Sequence, residues 1–68
     1  MRRPNEILKA FLLEESLTGE ELILLQSKMS IIAELCEEFG EVFMVHGIYA
    51  RSVSEECARE ILRRKRAK

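Results

Sequence analysis

Apolar positions recur along most of this 68-residue chain at the three-and-four spacing of helices. From about Pro4 to Ser16, Ile7, Leu8, Phe11 and Leu12 fall on one face, with Leu13 and Leu17 beside it as a second contact. Pro4 suits a first-turn position, where its missing N–H is not needed. Glu6 lies where the helix dipole favours a carboxylate. Thr18-Gly19-Glu20-Glu21 is a capping box: the threonine hydroxyl accepts from the amide three residues on, and Glu21 reaches back. It predicts a second helix from near Gly19 to about Phe39, stopped by Gly40 and about 30 Å long.

The second helix carries the clearest pattern. Leu22, Leu25, Met29, Ile32, Cys36, Phe39 and Phe43 are spaced 3, 4, 3, 4, 3, 4, the seam that lets one helix lie along another. Leu24, Ile31 and Leu35 form a second stripe beside it, and Gln26, Ser27, Ser30, Glu34, Glu37 and Glu38 gather opposite. An apolar arc wider than half the circumference needs more than one neighbour.

Residues 41–51 read two ways. Val42-Phe43-Met44-Val45 suits a short buried strand. The seam spacing continued by Phe43, His46 and Ala50 favours a helix, with Gly47 as its break. Ser52-Val53-Ser54-Glu55 is another capping box and opens a third helix at about Val53. Val53, Cys57, Ala58, Ile61 and Leu62 form its apolar face. Glu55 with Arg59 and Glu60 with Arg64 pair at i,i+4, acid first. The expected fold is all-α: one domain over residues 1–68, a small three-helix bundle or helical hairpin with a long central helix.

Size narrows the function classes. Ordering costs roughly 1.5 kcal/mol per residue, so a chain this short gains little net stability from its own interior. A second copy of the chain is the most available source of extra burial. Two cysteines, one histidine and no CxxC give no metal cage, and no cofactor is expected. The longest apolar runs, Leu22–Leu25 and Val42–Val45, fall far short of the roughly 20 residues of a membrane span. Met1-Arg2-Arg3 followed by Pro4-Asn5-Glu6 lacks the apolar core of a signal peptide. The expected setting is the cytoplasm, with reduced thiols.

Charge is distributed unevenly. Residues 4–50 carry −7 and residues 51–68 carry +4, with Arg2 and Arg3 adding +2. The basic tail, residues 63–68, joins Arg59 in a set able to meet phosphates: Arg59, Arg63, Arg64, Lys65, Arg66 and Lys68. A plain solvated helix end, cations at the negative pole of the dipole, explains the same residues. Residues 31–53 resemble a helix-turn-helix only weakly. Glu41 stands where an apolar residue belongs, and Val42–Ala50 offers no basic side chain to read base edges. Cys36 and Cys57 sit at apolar-face positions and read as small hydrophobes. His46 lacks the orienting group and oxyanion site that a Cys–His nucleophile needs. Glu14-Glu15, Glu20-Glu21 and Glu37-Glu38 follow no calcium-loop spacing.

The expected function is therefore occupancy and not catalysis. The protein docks a helical apolar surface on a larger protein partner as a homodimer, through Leu22, Leu25, Met29, Ile32, Cys36, Phe39 and Phe43. The alternative is a small nucleic-acid-binding, transcriptional regulator that uses the basic C-terminal helix. A third reading is a subunit that completes an enzyme's site elsewhere.

Overall fold

A computed structural model describes residues 2–67. Helix α1 spans Pro4–Leu12, α2 spans Gly19–Phe39 and α3 spans Met44–Arg66. A 3-10 turn, Gly40–Phe43, joins α2 to α3. The fold is all-α: α2 and α3 form a helical hairpin, α1 packs on α2, and no strand occurs among the described residues. Residues 41–51 are thus helical, and the strand reading falls.

α2 begins as its capping box predicts. The Thr18 Oγ1 accepts from the Glu21 amide at 3.1 Å, and the Glu21 carboxylate accepts from the Thr18 amide at 2.9 Å. It ends at Gly40, whose φ of 70° is a left-handed conformation that glycine alone adopts without strain. The chain turns here, and not at Gly47.

The expected break at Gly47 and the fresh helix start at Ser52 are both overturned. α3 runs unbroken through them for 23 residues, two more than α2. Tertiary packing outweighs local signals: Ala50, Val53, Ser54 and Cys57 all bury against the rest of the hairpin. Gly47 is itself buried, and a Cβ placed there would stand 3.0 Å from the Cys36 Cβ. Its missing side chain allows the two helices to approach, which offsets the roughly 1 kcal/mol that a mid-helix glycine costs.

α1 is shorter than predicted. It closes at Leu12 because Glu14 takes a left-handed φ of 59°. The Glu14 amide donates to the Phe11 carbonyl at 3.1 Å and the Glu15 amide to the Ala10 carbonyl at 2.9 Å, the paired bonds of a Schellman motif.

The core comprises Ile7 and Ala10 of α1, Leu17 of the loop, Leu22, Leu25, Met29 and Ala33 of α2, and Ala50, Val53 and Cys57 of α3. Burying a large aliphatic side chain contributes about 1.5–3 kcal/mol. The large members of this core cluster where α1 covers the hairpin. Further along, α2 and α3 meet through Ala33, Cys36, Gly47 and Ala50, all small. One polar contact fixes the helix register: the Ser30 and Ser54 hydroxyls lie 2.7 Å apart, and Ser54 also donates to the Gln26 carbonyl at 3.4 Å.

Candidate functional site

The two ends of the hairpin are built differently. At the open end, α1 and its loop lie over α2, and Arg2 clamps Glu21 with two bonds of 2.8 and 3.0 Å. Glu21 is nearly buried, and its carboxyl is held down at about 2, first by the Arg2 guanidinium and then by the Thr18 amide. The reciprocal effect raises the Arg2 guanidinium. At the turn end no α1 reaches the hairpin. α1 is nine residues, about 13 Å, against about 31 Å for α2.

The consequence is an exposed apolar cap. Among the described residues fourteen large apolar side chains are exposed, and ten of them fall between residues 31 and 49. Ile31, Ile32, Leu35 and Phe39 come from α2, Val42 and Phe43 from the turn, and Met44, Val45, Ile48 and Tyr49 from α3. Large apolar side chains expose roughly 200 Å² each when free, so these ten, spread over the outer faces of α2, the turn and α3, together expose on the order of 1,000 Å². Phe39 and Phe43 lean together at 5.4 Å between ring centroids, and the exposed His46 ring lies 6.0 Å from Phe43.

The seven-residue seam divides between the two ends. Leu22, Leu25, Met29 and Cys36 are buried within the chain itself, so they form the hairpin core and present no outer surface. Ile32, Phe39 and Phe43 remain exposed, at 42%, 65% and 40%. The buried stripe runs through Ala33 in place of Ile32, because helices in close contact accept the smaller side chain. Met44, Val45, Ile48 and Tyr49 of α3, with Val42 of the turn, are the surface residues that the seam spacing does not single out. Their signal was present: 44 with 48 and 45 with 49 are i,i+4 pairs on one unbroken helix.

On one side of this cap lies a pocket of about 300 Å³ lined by Cys36, Gly40, Met44, Gly47 and Ile48. Glu37 and Arg51 close its rim with an ion pair between α2 and α3. Its walls are apolar, and no side chain in it is placed as a general base toward a nucleophile.

The basic end of α3 is partly engaged. Arg63 binds Glu60 with two bonds of 2.8 and 2.6 Å, and Arg64 adds a third at 2.9 Å. Arg63 and then Arg64 hold the Glu60 carboxyl at about 2. Glu60 and Arg64 thus pair as the spacing predicts, while the structure shows no Glu55–Arg59 bridge among the described residues. Arg59, Lys65 and Arg66 also lack a carboxylate partner there, and Lys68 lies outside the described residues. A groove of about 710 Å³ between the loop after α1 and α3 is lined by Glu14, Glu15, Glu56 and Glu60 as well as by Arg59, Arg63 and Arg64. Its mixed charge makes no uniform anion cradle.

Both thiols are free and buried. Desolvation pushes the Cys57 thiol up to about 11, the opposite of nucleophile activation. Among the described residues no cluster of His, Cys, Asp or Glu is arranged to hold a metal ion, and no helix is long and apolar enough to cross a membrane. No known protein family, curated protein or solved structure matches the chain.

Proposed function

We propose that this chain is a small, non-enzymatic protein-binding regulator or adaptor, acting in the cytoplasm as a homodimer. It works by occupancy: its apolar cap covers a site on a larger protein partner. The observation that supports this reading is the bare turn end of the hairpin, where large apolar side chains face outward around a core of small ones. Folding alone does not account for that arrangement, and a concentration of exposed apolar side chains marks binding sites on soluble proteins. Val45 and Ile48, 72% and 61% exposed, are the most exposed large apolar side chains of α3 among the described residues. The Val45→Asp and Ile48→Asp variants should keep the helical signal of the parent chain and lose its partner in a pull-down from the source cell. Unchanged recovery of the same partner by both variants would end this reading.

A second reading, nucleic-acid binding, draws on one observation. α3 stays helical through Arg66, so Arg59, Lys65 and Arg66 present charge from an ordered element. Its mark would be a mobility shift that weakens steeply with salt, with a log–log slope of about −0.9 per phosphate contacted. No shift at low salt would remove it.

A further inference from the structure

The outward face of α2 bears a second seam that the core does not use. Lys28, Ile31, Leu35 and Glu38 are spaced 3, 4, 3, while Leu24, about one turn before them, is half-buried against the core. Lys28 and Glu38 are exposed, and neither forms an ion pair among the described residues. Ile31 is 54% exposed and Leu35 48%. The seam is symmetric about the level of Ala33: Ile31 and Leu35 lie two residues either side of it, Lys28 and Glu38 five. Two such helices laid antiparallel across that level would bring each Ile31 against the other chain's Leu35. Each Lys28 would meet the other chain's Glu38, so two opposite-charge pairs would bracket a dry centre. A parallel pairing would set Lys28 against Lys28 and Glu38 against Glu38.

We infer that the occupant of this face is a second copy of the chain, held by an antiparallel α2–α2 contact centred at Ala33, with Lys28 and Glu38 choosing the direction. The inference rests on the reading above that the protein acts as a dimer, and adds its geometry. Ile32 and Phe39 border the seam on the side facing Phe43 and widen the contact. Ile31, Ile32, Leu35 and Phe39 are about half exposed, so at roughly 200 Å² each when free they offer about 400 Å², against the roughly 800 Å² that a standard interface takes from each partner. The apolar side chains of α2 therefore supply about half of a standard contact, and Lys28 and Glu38 at its two ends add to it. Val45 and Ile48, on α3, stay outside it and remain available to the larger partner. Charged pairs that flank a helical seam set its partner choice and orientation.

The test exchanges charges. Lys28→Glu leaves a chain with only negative charge at the two positions, and Glu38→Lys leaves one with only positive charge. Each alone should self-associate about ten-fold more weakly than the parent chain by sedimentation equilibrium, since two attractive pairs become two repulsive ones. Mixed in equal amounts, the two should form a heterodimer as tight as the parent dimer, and the double variant should recover it within one chain. Folding is read separately. Glu38→Lys should raise the helix's own stability, because it relieves Glu34 and suits the negative end of α2. Weaker association alongside a firmer helix would support the contact. A parent dimer indifferent to both substitutions, with no preference for the mixture, would overturn the antiparallel contact while leaving the dimer standing. A parent chain that stays single at all concentrations would overturn both.

Discussion

Glu14 is a glutamate where helix closure favours glycine. Its φ of 59° puts an L-residue in the left-handed region, which costs roughly 1–2 kcal/mol. Its side chain is exposed and forms no ion pair or hydrogen bond among the described residues that would repay this. Glycine removes the steric cost but loses about 0.5–1 kcal/mol more chain entropy on folding. The net effect of Glu14→Gly should be a gain of about 1 kcal/mol, or about 4–8 °C in Tm for a chain of this size. The two Schellman bonds, Glu14 to Phe11 and Glu15 to Ala10, use backbone alone and survive the change. Glu14→Ala is the control: it keeps the strain, so its stability should stay within about 0.5 kcal/mol of the parent. Both are measured by thermal unfolding followed by circular dichroism at one fixed protein concentration, because association makes Tm concentration-dependent. If glycine leaves Tm unchanged or lowers it, while alanine raises it, α1 does not end in this closure and the short α1 that bares the turn end is wrong.

Three further outcomes follow from the same structure. Gly47→Val should destabilise by about 2 kcal/mol in urea unfolding, because its branched side chain meets Cys36 where the helices nearly touch; a neutral result would mean that α2 and α3 do not approach there. Glu21 has its carboxyl lowered from 4.5 to about 2 in the folded chain, so the stability it contributes is fully present above about pH 4.5 and is lost as pH falls toward 2. Glu21→Gln should therefore show a flatter dependence of Tm on pH in that window than the parent, and an identical slope would refute the Arg2–Glu21 clamp. Cys57, at 0% exposure with a raised pKa, should react with a thiol reagent only on unfolding, while Cys36, 8% exposed beside the pocket, reacts first; equal rates in the folded chain would contradict the core packing.

The extent of α2 is legible because both its ends are written in local chemistry. Thr18 and Glu21 cap one end, and Gly40 is needed at a positive φ at the other. The end of α1 is not, since nothing in Leu13-Glu14-Glu15 announces a left-handed residue. Gly47 carries a double meaning. As an isolated glycine it signals a break, and only the approach of Cys36 from another helix makes it a contact residue instead. The same approach explains why the spacing misplaced Ile32. A regular 3,4 pattern weights size, but helices in close contact select Ala33, and the larger side chains move outward. The seam of Leu22, Leu25 and Met29 is therefore core, whereas Ile31, Ile32, Leu35 and Phe39 are surface. Which residues are available for docking depends on interhelical distance, and that quantity is not encoded in periodicity. The contrast gives paired variants: Met29→Glu places a charge in the core and should unfold the chain, while Ile32→Glu should leave it folded.

The claim on which the rest depends is that the outward apolar face of α2 is a surface built to be covered by a second copy of the chain. Sedimentation equilibrium of the parent chain from micromolar to millimolar concentration tests it most directly, with Leu35→Glu run beside it. The account predicts that the parent mass rises to that of two chains while Leu35→Glu stays folded and single. A parent chain that remains single and soluble at millimolar concentration would contradict it.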